Sequence, residues 1–186
     1  MYGHTHDQYY QITNSKTNPE KHLHVAQIGP AVTTLSYENP GYGLITIDKK
    51  TMLPVNYQIW AMDLDEANLT DSPEWKLNTD YMVDYGLNDM SPDSMYALAE
   101  RMRNDRSFAG LYNWHKSRKV GVPKEVSAAG AASMACDLQT SEVMEGMTCK
   151  GSMDRKEQFR NWIIGDWVTK GDTPILAASD AEEYLQ

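Results

Sequence analysis

In PVNYQIWAMD, residues 54–63, Val55, Tyr57, Ile59 and Ala61 fall on one side of an extended chain, and Asn56, Gln58 and Trp60 on the other. That two-residue period predicts a strand with one buried face. Three earlier runs also read as strands: HLHVAQIG over 22–29, AVTTLSY over 31–37 and YGLITID over 42–48. The second is rich in β-branched and aromatic residues. The turn ENPG, with Asn39, Pro40 and Gly41 as breakers, precedes the third, and KKT over 49–51 is a hairpin connection to the last. Together they predict a β meander from about residue 22 to residue 62.

Beyond Asp63 the pattern turns helical. DSPEWKLNTDYMVDYGL, residues 71–87, has Ser72 to cap it, Pro73 at its first position and Trp75, Met82 and Tyr85 on one face. Gly86 is its stop. A second helix over 91–119 opens the same way on Ser91 and Pro92, with Met95, Leu98, Met102, Ala109 and Tyr112 as its stripe. Lys116, Arg118 and Lys119 at its end suit the helix macrodipole. GVPKE breaks the chain before the small-residue run VSAAGAASMA, and a last helix over 155–168 has Phe159, Trp162, Ile163 and Trp167 as its apolar side. The tail SDAEEYLQ is acidic.

The predicted class is therefore α+β, with strands in residues 1–62 and helices in residues 63–186. A meander of three or four strands leaves one face and two edges open. Either the helices or a partner sheet from outside this sequence must cover them.

Composition narrows the functions. The chain has 186 residues, 41% hydrophobic and 23% charged, enough to bury a core. Its net charge of −9 argues against a broad nucleic-acid interface and against general attraction to anionic lipid. Two cysteines, Cys136 and Cys149, are too few for an all-thiolate zinc cage. They are either one disulfide in an oxidising compartment or two free cytosolic thiols. Asn68-Leu69-Thr70 is an N-glycosylation sequon, which leans toward secretion, yet MYGHTHDQYY has neither the basic start nor the apolar run of a signal peptide.

The residues suited to chemistry lie in that opening stretch. His4 and His6 are two apart, so on extended backbone both imidazoles point the same way and can reach one metal centre. Gly3 permits a sharp bend before them. His22 and His24 form a second pair on a predicted strand and read as structural or surface residues. His115, among lysines at a helix end, reads as a cation stabilised by the helix dipole.

Read together, GHTH, GPAVTTLSYENPGYGLITID and ANLTDSPEWKLNTDYMVDYGLNDMSPDSMYALAERMRND resemble, in this order, the C-terminal portion of the acid sphingomyelinases and their phosphodiesterase relatives. These are calcineurin-like metallophosphoesterases. The likeness runs over about residues 3 to 150, and the segment after Gly151 has no counterpart in it. The resemblance implies the last strands of a metallophosphoesterase β-sandwich followed by a helical subdomain. It implies His4 and His6 as ligands in a two-zinc centre, one to each metal. It places Tyr42 at the substrate pocket, pairs Cys136 with Cys149, and implies a secreted or lysosomal setting with a phospholipid or other small phosphodiester as substrate.

The sequence departs from the family in three ways, the first being that Asp7 directly follows His6. A second cysteine pair is missing from GVPKEVSAAGAA. The remaining metal ligands, including an Asp-x-His and an Asn-His motif, belong upstream of GHTH. The expectation is a C-terminal fragment that lacks half its metal ligands and is inactive alone. Two alternatives differ in class: a phosphodiesterase acting on nucleotides, and a non-catalytic helical module that binds a partner or a membrane surface.

Overall fold

The computed structural model describes residues 6–18, 20–34 and 37–150. The chain divides into two compact units, Met1–Glu142 and Val143–Gln186. The helix expected over 155–168 lies outside the described residues. In the second unit the described part is one helix, α6 (Val143–Cys149), with Glu145 in its first turn.

The first unit mixes helices with two small antiparallel sheets, so the class is α+β as the sequence predicts. β1 (Tyr9–Asn14) pairs with β2 (His22–Ile28), Tyr9 opposite Ile28 and Ile12 opposite Val25. β3 (Gly41–Ile47), β4 (Pro54–Met62) and β5 (Trp75–Asp80) form the second sheet in that order. The expected hairpin is present: Gly41 lies opposite Ala61 and Ile45 opposite Tyr57. The Asp48 carboxylate organises its turn by accepting from the backbone N–H groups of Lys50 and Thr51 at 2.9 and 2.8 Å.

The continuous meander is not formed. β2 pairs with β1, a strand the sequence reading did not place, and AVTTLSY is irregular wherever it is described. The expected helix over 71–87 is also replaced. Its first half is β5, which satisfies the free edge of β4, so tertiary pairing overrides the Ser-Pro start signal. Only Tyr81–Asp84 is helical (α2), capped by the Asp80 side chain, which accepts from the Val83 N–H. The predicted stop holds: Gly86 has φ 61°, its N–H reaches the Val83 carbonyl at 3.4 Å, and the Leu87 N–H reaches Met82 at 3.1 Å. Between the strands lies a short helix, α1 (Leu64–Thr70), capped by Asp63.

The long helix over 91–119 is two helices, α3 (Pro92–Asn104) and α4 (Arg106–Lys116). Ser91 caps α3 and Pro92 starts it, as the sequence predicts. Asp105 breaks the run because its extended backbone (φ −126°, ψ 102°) closes α3 while its carboxylate accepts from the Phe108 N–H to open α4. The small-residue run becomes α5 (Ala128–Gln139).

One core spans strands and helices. Tyr10 and Ile12 of β1, Tyr57 and Ile59 of β4, Met95, Leu98 and Met102 of α3, Phe108 and Tyr112 of α4, and Ala131 and Ala135 of α5 are all buried in it. Tyr57, Ile59 and Ala61 of β4 and the stripe from Met95 to Tyr112 thus face inward as predicted, whereas Val55, near the start of β4, is exposed. The core joins residues on both sides of position 62.

Candidate functional site

The histidine motif is the natural starting point. His4 lies outside the described residues. His6 is described, with φ 63°, a left-handed conformation uncommon for any residue but glycine. The extended backbone that would aim both imidazoles the same way therefore does not reach His6. Asp7 follows directly, its carboxylate 3.7 Å from Lys116 Nζ at the end of α4. A cleft of about 250 Å³ opens beside this pair, between β1, α4 and α5, with Tyr9, Gln11 and Asp137 on its walls.

A second pair of charges lies deeper. Arg118, just past α4, has a side chain with no exposure, and its Nη2 is 2.8 Å from Glu38 Oε2. Arg118 Nε donates to the Asn39 carbonyl. Asn39 Nδ2 donates back to the Arg118 carbonyl at 3.1 Å, while Asn39 Oδ1 accepts from the Leu64 N–H at 3.1 Å. Burial pushes the Glu38 carboxyl above its ordinary range, and the Arg118 charge only partly offsets this. Asp7 is near enough to act on both Glu38 and Arg118. The fold thus gathers three segments far apart in sequence: His6–Asp7, the Glu38–Tyr42 turn and the end of α4.

Tyr42 emerges from that turn onto the outer face of the β3–β4–β5 sheet. It lies opposite Trp60 and packs edge-on against Trp75, ring centroids 5.1 Å apart. It is 36% exposed, so it is partly packed and partly open to solvent.

His115 requires a correction. The expected dipole-stabilised cation is instead a ring buried beneath Tyr85, whose hydroxyl lies 3.2 Å from His115 Nδ1. Burial, then the Lys119 charge, lowers its pKa from the ordinary 6.5. The unfolded chain, at the ordinary value, then binds more protons as pH falls below 6.5, so His115 subtracts stability on acidification. Urea midpoints of wild type and His115→Gln should diverge between about pH 7 and pH 5, with wild type losing more. Parallel midpoints would show that His115 stays unprotonated in both states or protonates equally in both.

The other sequence-picked residues fall as follows. His22 stacks on Tyr96 at 3.9 Å, and its Nδ1 lies 2.8 Å from Asn14 Oδ1, which bears out its structural reading. Asn68 is exposed on α1. Cys136 and Cys149 are both disulfide-bonded, which settles the choice between a bridge and free thiols.

A metal fit is not provided by the described residues. Among them no group of three or more His, Cys, Asp or Glu side chains is placed to hold an ion. Asp7 is turned to Lys116. Sequence reasoning missed Glu38, Asn39 and Arg118. The signal was present but read too simply: ENPG as a mere breaker, and Arg118 as one more cation at a helix end.

Comparison with known proteins matches residues 18–118 to the acid sphingomyelin phosphodiesterase C-terminal region. The chain is 27% identical to sphingomyelin phosphodiesterase B of Dictyostelium discoideum over 144 residues, which is 74% of this chain and 22% of that protein. It is 31% identical to the cyclic GMP-AMP phosphodiesterase of Homo sapiens over 123 residues, 61% of this chain and 26% of that protein. It is 27% identical to the sphingomyelin phosphodiesterase of Homo sapiens over 130 residues, 67% of this chain and 20% of that protein. The chain thus spans about a fifth to a quarter of the length of these relatives. With more than half of its residues inside the family match, this chain belongs to the acid sphingomyelin phosphodiesterase C-terminal region family.

Proposed function

We propose that this chain is the C-terminal part of a phosphodiesterase of the metallophosphoesterase type, acting on sphingomyelin to give ceramide and phosphocholine. The family match over 18–118 carries this reading. In it, His4 and His6 are two ligands of a two-zinc centre whose other ligands lie outside this sequence. Zinc in such a centre supplies hydroxide and holds the phosphate. This chain's own share is to end the ligand set at His6 and to present Tyr42 at the rim. The anchoring of Asp7 by Lys116, and of the Tyr42 turn by Arg118, supports a role in holding these two contributions.

A secretory setting accords with the disulfide and with the exposure of Asn68, the glycosylation site in this reading. Tyr42 and the sheet face around it would meet the phosphodiester substrate, at a membrane surface if that substrate is a phospholipid. A second reading, a nucleotide phosphodiesterase, is favoured by the 31% identity to the cyclic GMP-AMP phosphodiesterase.

The test is turnover by a full-length protein carrying this region, with sphingomyelin, cyclic GMP-AMP and a chromogenic phosphodiester compared. Preference for sphingomyelin, lost in His6→Ala, is expected. Preference for cyclic GMP-AMP establishes the second reading, and full activity in His6→Ala removes the ligand role.

A further inference from the structure

We propose that Arg118 is a positioning residue: it ties the Glu38–Tyr42 turn to the end of α4 and so sets where Tyr42 stands. The inference rests on the substrate role proposed for Tyr42.

The backbone gives the first argument. α4 ends in a reverse turn in which the Arg118 N–H donates to the His115 carbonyl and the Lys119 N–H to the Trp114 carbonyl, each at 2.9 Å. The hydrogen bonds are those of the stop at Gly86, yet two successive left-handed positions, φ 55° and 62°, are held by Arg118 and Lys119 and not by glycine. An arginine there is conformationally unfavourable, so helix termination does not account for it. The contacts of its side chain offer a reason for that cost.

What the side chain contributes is a clamp. Its Nε donates to the Asn39 carbonyl, its Nη2 lies in ion-pair range of Glu38 Oε2 without hydrogen-bond geometry, and the Asn39 amide returns a bond to the Arg118 carbonyl. Through Asn39 the clamp extends to the start of α1. Gly41, directly before Tyr42, is shaped to it, because a Cβ there would run into Arg118 Cδ and press on Pro30. A buried ion pair is also seldom the most stabilising choice compared with apolar residues of similar size. Two unfavourable choices thus converge on one side chain, and control over the position of this turn is what both deliver. Lysine cannot replace it, since one ammonium lacks the planar fork that reaches two acceptors.

The experiment uses the paired variant Arg118→Gly with Glu38→Gln, which keeps the helix stop and leaves no buried charge stranded. In the 186-residue chain, amide exchange over 38–42 and at Leu64 should rise by about tenfold or more relative to any change in α3. In the full-length protein the same pair should raise KM for bis(p-nitrophenyl) phosphate as Tyr42→Ala does, with kcat less affected, and Arg118→Lys should not restore it. Equal changes in exchange across the turn and α3, or none in the turn, would overturn the clamp. A KM untouched by the pair but raised by Tyr42→Ala would overturn its bearing on Tyr42. A KM untouched by Tyr42→Ala itself would remove the substrate role, while exchange still judges the clamp.

Discussion

Replacing Tyr85 with alanine should destabilise the first unit by about 3–5 kcal/mol, the range for losing a large buried aromatic. Tyr85 is 2% exposed, and its ring meets those of Tyr81, Phe108, Tyr112 and His115 at 5.0 to 5.9 Å. It stands just past α2 with its ring among α4 side chains, and Arg101 Nη1 of α3 donates to its carbonyl at 3.1 Å. Truncation empties the centre of that cluster, where rigid neighbours cannot collapse into the space. Tyr85→Phe should cost far less, about 1 kcal/mol, by removing the hydroxyl that meets His115. Urea unfolding of both variants checks this. A cost below about 1.5 kcal/mol for the alanine variant would mean that the cluster repacks.

The second large effect belongs to the buried charges. Arg118→Met should cost about 3–5 kcal/mol near neutral pH, because it strands the Glu38 carboxylate in a site with little access to water. Adding Glu38→Gln should recover more than half of that loss, since the cost lies mostly in the unpaired charge. The pH dependence has a definite sign. Burial already raises the Glu38 pKa with Arg118 present, and removing the arginine takes away the attraction that holds it down. A carboxyl whose folded pKa exceeds its unfolded value contributes more stability as pH falls. The deficit of Arg118→Met should therefore narrow from about pH 7 to about pH 5. An equal deficit at both pH values, or no recovery on adding Glu38→Gln, would show that packing and not charge sets the cost.

How much of this was legible in the sequence depended on whether the deciding contact was local. The alternation of Tyr57, Ile59 and Ala61, the Ser91-Pro92 start and the Gly86 stop are set within a few residues, and all three hold. β5 was misread as helix because its reason for existing, the open edge of β4, lies outside its own residues. Asp105 was overlooked because a continuous stripe masks a one-residue break: Met102 and Phe108 stay buried on the same side. The site divides the same way. His6 and Tyr42 were singled out from family motifs, whereas the Arg118–Glu38 pair joins positions 80 residues apart and only the fold brings it together. His115 shows the converse error, in which its place at a helix end suggested a cation and tertiary packing buries the ring.

The proposal most in need of a test is that this region contributes part of a metal centre. The most direct measurement is zinc content by mass spectrometry of the 186-residue chain purified in zinc-containing buffer at neutral pH, beside His4→Ala/His6→Ala. The account predicts no stoichiometric zinc in either protein, because two histidines cannot complete two four-coordinate ions. Two tightly held zinc ions per chain, lost in the double variant, would contradict it and place a full metal centre within this chain or its dimer.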